Sequence, residues 1–174
     1  MNGLERERTT LVVVDIQEAF RPYASFAGVA SRAAVLVAAA RLLGVRRVIT
    51  EQYPAGLGHT APEVGIDGEP TLQKVAFSAA RADGFDLGGA THAIVCGIET
   101  HVCVAQTALD LVARGIAVHL PADAVGSRHD DDHERALARL QGAGVVVSST
   151  EATVFELLGT AAAPEFKAVQ RLIV

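Results

Sequence analysis

Apolar and polar positions fall into blocks of two kinds: short unbroken apolar runs, and longer stretches repeating at helical spacing. The first run, Thr9 to Asp15 (TTLVVVD), reads as a strand covered on both faces and ends on a carboxylate. Gln17 to Tyr23 follows as an irregular segment. Phe26 to Leu43 sets Val29, Ala33, Leu36, Val37, Ala40 and Leu43 on one face and predicts a helix that Gly44 ends. Val45 to Glu51 predicts the second strand. Gln52 to Pro70, rich in glycine and proline, predicts a long loop of the kind that serves as a binding or lid element. Thr71 to Ser78 predicts a short strand or extended segment, third in order, and Ala79 to Leu87 a helix.

Thr91 to Asp110 (THAIVCGIETHVCVAQTALD) changes type midway. Ala93 to Cys96 is a β-prone run and Gly97 permits a sharp turn. Glu99 and Thr100 then offer an acid and a hydroxyl cap to a helix N-terminus. That helix runs to about Arg114, where Gly115 breaks it. Gly115 to Leu120 predicts the fifth strand, Pro121 to Arg128 a loop, Asp130 to Gln141 a helix, and Gly144 to Ser148 the sixth strand. Thr150 to Leu158, capped by Thr150, and Pro164 to Leu172 predict the last helices. The alternation predicts an α/β fold in a single domain, 1–174: a three-layer α/β/α sandwich around a six-stranded, mostly parallel sheet with right-handed crossovers. The doubly wound order 3-2-1-4-5-6 would place Asp15 beside the turn that carries Cys103.

Composition narrows the function classes. Half of the 174 residues are hydrophobic and the mean hydropathy is +0.31, yet no apolar run approaches the ~18–20 residues that span a bilayer. Much of the apolar content is alanine, which points to tight helix packing and buried subunit surfaces. The charged N-terminal segment lacks a signal-peptide core, so a cytoplasmic location and no membrane partner are expected. A formal charge of −5 disfavours nucleic acid as a partner. DIQEAF after the first strand is no phosphate-binding fingerprint, which argues against a dinucleotide. Asp130, Asp131, Asp132, His133 and Glu134 read as a solvated helix N-terminus. His92, His119, His129 and His133 stand at no metal-ligand spacing.

Three side chains stand out chemically. Cys103 falls in the first turn of a helix, where unpaired N–H groups favour a thiolate and offer donors to an oxyanion; a cysteine so placed is more often structural. Asp15 ends an apolar strand, as a cap or as a site carboxylate. Lys74 is one of only two lysines beside 13 arginines, and reads either as a snorkelling surface residue or as a site cation. Cys96 reads as a small buried hydrophobe. Phe20 and Tyr23 either wall a pocket or fill the core beneath a loop.

With TLVVVDIQEAF, LQKVAFSA and VCGIETHVCVAQTALDL around these residues, the chain resembles the isochorismatase-like cysteine hydrolase family over nearly its whole length. EQYPAGLGHTAPEVG, GIAVHL and PEFKAVQRLI look most like its isochorismatase domain-containing branch. The resemblance implies a catalytic triad of Asp15, Lys74 and Cys103. Cys103 would form a thioester, Asp15 would carry the proton, and Lys74 would favour the ionised forms, with the helix terminus and ammonium able to bring the thiol below neutrality. The resemblance also implies an oxyanion hole at the backbone N–H groups of Glu99 and Cys103, and a cis peptide between Ile98 and Glu99.

Nicotinamidases of this family resemble one another in an Asp-x-His metal site after strand 2. EQYPAGLGHT offers Glu51 and His59 without that pair, so no metal and no cofactor are expected. True isochorismatases lack the nucleophilic cysteine, so the presence of Cys103 favours acyl transfer. On the family's layout Gln17, Phe20, Gln52, Tyr53, Phe77 and His101 would contact a small amide or carbamoyl substrate. The expected activity is a metal-independent cysteine amidohydrolase of non-peptide C–N bonds. The alternative is a non-catalytic binding or scaffold member of the same fold. The resemblance also implies a homo-oligomer, from a dimer to a larger ring.

Overall fold

A computed structural model describes residues 3–174; the first two residues of the charged N-terminal segment lie outside that range. Seven strands form one parallel sheet: β1 (Thr9–Val14), β2 (Arg46–Gln52), β3 (Thr71–Lys74), β4 (His92–Ile98), β5 (Ala117–Pro121), β6 (Val125–Gly126) and β7 (Val146–Ser148). Their order is β3-β2-β1-β4-β5-β7, with β6 paired to β4. The doubly wound order is as expected, while the two-residue β6 replaces part of the loop expected after strand 5. So short a run carries no periodic signal. Its place is set by β4, which pairs with β5 only through His92, Ala93 and Ile94 and offers Gly97 and Ile98 to β6.

The helices are α1 (Phe26–Leu42), α2 (Pro54–Leu57), α3 (Ala105–Ala113), α4 (Asp130–Gly142), α5 (Thr150–Leu158) and α6 (Phe166–Ile173). Successive residues of β1 face opposite layers. Leu11 and Val13 join Ile49, Ile94 and Cys96 under α1, α5 and α6. Val12 and Val14 join Ala93 and Val95 under Ala105, Ala108 and Leu111 of α3 and Leu140 of α4. All six β1 residues are buried, as an unbroken apolar run between two helical layers requires. Among the described residues no helix is long and apolar enough to cross a membrane.

Three local expectations need correction. Ala79 to Leu87 forms only a 3-10 turn, Ala79–Arg81, because Gly84, Gly88 and Gly89 take positive φ and turn the chain before a helix can propagate. The cap of α5 is Ser149, whose hydroxyl accepts from Ala152 N–H; Thr150 donates its N–H and hydroxyl to Asp123 instead. Thr100 caps nothing: the chain enters α3 through a π-helical turn, Thr100–Val104, and the Thr100 hydroxyl bonds His133 Nδ1 at 2.9 Å.

The carboxyl ends of β1 and β4 approach closely at one glycine. Gly97 pairs with Val14 and has φ 132°, and a Cβ there would stand 1.9 Å from the Val14 carbonyl oxygen. That contact brings Asp15, the next residue on β1, beside the chain leaving β4.

Candidate active site

Asp15 follows β1 in a left-handed conformation (φ 52°), an unusual backbone for a residue with a Cβ. Its side chain has no solvent exposure. One carboxylate oxygen accepts from Lys74 Nζ at 2.6 Å and the other from the Thr50 hydroxyl at 2.8 Å. The Asp15 N–H also donates to Thr50 O at 3.2 Å, so the end of β2 fixes both backbone and side chain. Burial pushes the carboxyl above its ordinary range, against the opposing pull of Lys74, Thr50 and Cys103.

Lys74 ends β3 with its side chain wholly buried. Besides Asp15, its ammonium donates to Gln52 Oε1 at 2.7 Å, Phe77 O at 3.0 Å and Ala76 O at 3.2 Å. Three protons serve these four acceptors, so the ammonium is held in place and has no donor left for a ligand.

Cys103 lies in the π-helical turn with 7% of its surface exposed. Burial, and then the nearby Asp15 charge, push its thiol up to about 12, while Lys74 pulls the other way. This corrects the expectation of a thiol below neutrality. The ammonium is spent on Asp15, and desolvation together with that carboxylate outweighs it. The Cys103 carbonyl accepts from the Thr107 hydroxyl at 2.7 Å, whose oxygen accepts from Ala79 N–H at 2.8 Å. Asp15 is the carboxylate that acts on the Cys103 thiol, through its charge and a side-chain hydrogen bond.

The Ile98–Glu99 peptide bond is cis. Glu99 O accepts from both Val102 and Val104 N–H, at 3.1 and 3.2 Å, while the Glu99 N–H has no acceptor among the described residues. The Glu99 carboxylate turns away and takes three bonds from Arg128: N at 3.0 Å, Nε at 3.1 Å and Nη2 at 2.8 Å. Burial opposes its ionisation, but these donors hold it below the ordinary range.

The residues expected around a substrate are dispersed. Gln17 is fully buried, and its amide is spent on Gln52 N–H, Gln52 O and Gly58 O, so it braces the loop from within. Gln52 holds Lys74 and donates to Val75 O. Phe20 is half-buried and packs on Tyr23 with ring centroids 5.4 Å apart. Tyr53 (φ 38°) and Phe77 are exposed. Tyr53 borders a cavity of about 370 Å³ with Pro54, Gln73, Lys74, Val75 and Arg81, along the outer edge of β3; Lys74 lines it, while Asp15 and Cys103 do not. His101 is half-buried and bonds Ser127 Oγ through Nδ1 at 3.0 Å, facing α4.

Glu51 is almost fully buried and accepts from Thr60 N–H, the Thr60 hydroxyl and His59 Nδ1. Burial opposes its charge, and these bonds hold it below the ordinary range. The pair thereby pins the long loop, which carries α2 and a 3-10 turn at Pro62–Val64. Among the described residues no group of three or more His, Cys, Asp or Glu side chains is arranged to hold a metal ion.

Sequence reasoning missed Thr50, Thr107 and Arg128. Thr50, a hydroxyl at the end of an apolar strand, was detectable by the argument that singled out Asp15. Thr107 looks like any helical threonine, and Arg128 like any loop arginine.

The profile of the isochorismatase domain matches residues 9–152. The chain is 41% identical over 175 residues to isochorismatase domain-containing protein 2 of Danio rerio, covering 98% of this chain and 89% of that one. A solved structure described as MAR1 ribonuclease from Caenorhabditis elegans superposes with a TM-score of 0.92 at 36% identity, covering 99% of this chain and 92% of that one. The YcaC protein of Escherichia coli, described as an octameric hydrolase of unknown specificity, shares the fold with a TM-score of 0.87 at 20% identity over 99% and 90% of the two chains. With the sheet order, the domain match and a relative at this identity in agreement, the chain belongs to the isochorismatase family and has its hydrolase fold.

Proposed function

We propose that the protein is a cysteine hydrolase that cleaves the C–N bond of a small amide or carbamoyl compound through a thioester on Cys103. One observation carries the reading: a solvent-free Asp15–Lys74 ion pair interacts with the Cys103 thiol at the carboxyl end of the sheet. Desolvation raises both members of the proton-exchanging pair, which makes Asp15 a stronger base than a surface carboxylate.

The Cys103 proton passes to Asp15 as sulfur attacks the carbonyl carbon. The N–H groups of Glu99 and Cys103 receive the oxyanion. Asp15 then returns the proton to the departing nitrogen, the C–N bond breaks, and an amine leaves. Water, deprotonated by Asp15, attacks the thioester; the acid is released and the thiol recovers its proton. Lys74, 2.6 Å from the carboxylate, favours the ionised form of Asp15 between steps. No step is routed through a metal or cofactor. The partner is a small molecule, and the protein works in the cytoplasm as a homo-oligomer.

The ribonuclease name of the Caenorhabditis elegans relative defines the competing reading. A net charge of −5 and an ammonium with no donor to spare weigh against a phosphate backbone as ligand. The test is a panel of primary amides and carbamoyl compounds read by ammonia release, with Cys103→Ala as control and a labelled RNA oligonucleotide in parallel. Release of ammonia that needs Cys103, with an acyl adduct on its tryptic peptide, is expected. Cleavage of RNA indifferent to Cys103→Ala, with no acyl adduct from any compound, would sink the proposal.

A further inference from the structure

Three consecutive residues of the nucleophile turn are each gripped by the segment that leads into α4 or by the first turn of α4 itself. Glu99 takes the forked guanidinium and the N–H of Arg128, Thr100 bonds His133, and His101 bonds Ser127. That segment has little freedom of its own. Gly126 pairs with Ile98, and a Cβ on it would stand 2.7 Å from Ser25 Oγ and 2.9 Å from Val29 Cγ2 of α1. Ser25 Oγ in turn donates to Ser127 O at 3.1 Å.

Of the three links, the one from Arg128 is charged and uses both oxygens of a side chain that is itself buried. Removing it would leave the Glu99 carboxylate, 7% exposed, without its neutralising partner. Glu99 would then turn toward water and rotate its own backbone. Arg128 is half exposed, and its guanidinium carbon lies 5.8 Å from the centre of the Tyr23 ring, so little of the core depends on it.

We infer that Arg128 is a positioning residue that, by holding the Glu99 carboxylate in a fork, aims the Glu99 N–H at the oxyanion of the acyl-transfer reaction. The inference rests on the cysteine acyl-transfer reading above. It assigns a role in catalysis to an arginine outside the triad and one crossover away in the chain. A lysine cannot reproduce that role, since a single ammonium does not fork across two oxygens.

The test separates two reactions of one sulfur. Acylation of Cys103 by p-nitrophenyl acetate, read as p-nitrophenolate release, passes through a tetrahedral oxyanion; alkylation by iodoacetamide displaces iodide and forms none. Arg128→Ala should slow acylation about 10- to 100-fold, less than deletion of an oxyanion donor itself, and leave alkylation within about threefold. Added guanidinium chloride at sub-denaturing concentration should restore part of the loss, and Arg128→Lys should resemble Arg128→Ala. Glu99→Gln, which keeps the shape of the side chain, should show the same selective loss and decides the matter if Arg128→Ala melts early. Equal losses in both reactions would mark a merely structural role and overturn the inference. So would unchanged acylation in both variants beside an active wild type. Wild-type p-nitrophenolate release no faster than that of Cys103→Ala would instead overturn the acyl-transfer reading, and this inference with it.

Discussion

Replacing Lys74 by methionine isolates the role of one buried charge. The methionine fills nearly the same space but takes the ammonium from 2.6 Å beside an Asp15 carboxylate that has no contact with water. Breaking a buried pair in this way costs about 3–5 kcal/mol when the partner stays charged. At about 2–4 °C per kcal/mol for a chain of this size, that is a fall in Tm of about 6–20 °C. The carboxylate has an escape, because it can take up a proton. The sign follows from the direction of its shift: burial already raises Asp15 above its unfolded value, and loss of Lys74 raises it further. A group raised on folding contributes stability that is full below its unfolded pKa, near 3.9, and is lost as pH rises through the folded value.

The gap between wild type and Lys74→Met should therefore be smallest near pH 4.5 and widen toward pH 8. The assay is thermal unfolding by circular dichroism at half-unit pH steps. Lys74→Met/Asp15→Asn serves as control, since it retains the orphaned acceptors of Gln52, Ala76 and Phe77 but has no carboxylate to titrate. Its own gap from wild type should lack the widening that Lys74→Met shows. A Lys74→Met gap that is flat across the range would refute the claim that Asp15 is an ionised, desolvated partner of this ammonium.

Four further outcomes follow from the geometry. With the Cys103 thiol pushed up to about 12, iodoacetamide labelling of wild type should rise about tenfold per pH unit from pH 6 to 9 with no plateau, and a plateau by pH 7 would contradict it. Asp15→Asn removes a charge that keeps the proton on sulfur, so it should label faster than wild type at pH 8 while losing acyl hydrolysis; slower labelling would show that Asp15 does not raise the thiol. Gly97→Ala drives a Cβ into the Val14 carbonyl and should cost more than ~4 kcal/mol, seen as insoluble expression or a collapsed Tm; a melt within a few degrees of wild type would mean that β1 and β4 can separate there. Thr107→Val strands the buried Ala79 N–H and should cost about 1–3 kcal/mol in urea unfolding, with no change in m-value.

The architecture was readable because β1 and β4 announce themselves by unbroken apolar runs and α1 by its spacing. The strand order followed from fold class. What escaped were features set by distant contacts: β6, which exists because β5 leaves half of β4 uncovered, and the helix lost after β3 to a string of left-handed glycines. The triad positions came from the family resemblance together with the chain's own punctuation. The protonation of Cys103 could not be read from its place at a helix start, since it depends on how much water reaches the thiol and on where the Lys74 ammonium is already engaged. On the family's layout Gln17 reads as a ligand contact. Only the fold shows its amide closed on backbone from Gln52 and Gly58.

The concealment of Lys74 also matters to anyone handling the protein. Of its two lysines one is sealed inside the sheet, so Lys167, exposed on α6, is the chain's one accessible side-chain amine. Helix α6 packs on α1 and α5. Amine-directed coupling to a sensor chip, a bead or a dye should therefore join a side chain at one place on the molecule. Molecules immobilised through a side chain, as distinct from the α-amine, would then share one orientation, a uniformity that lysine-rich enzymes reach only after a tag has been engineered into them.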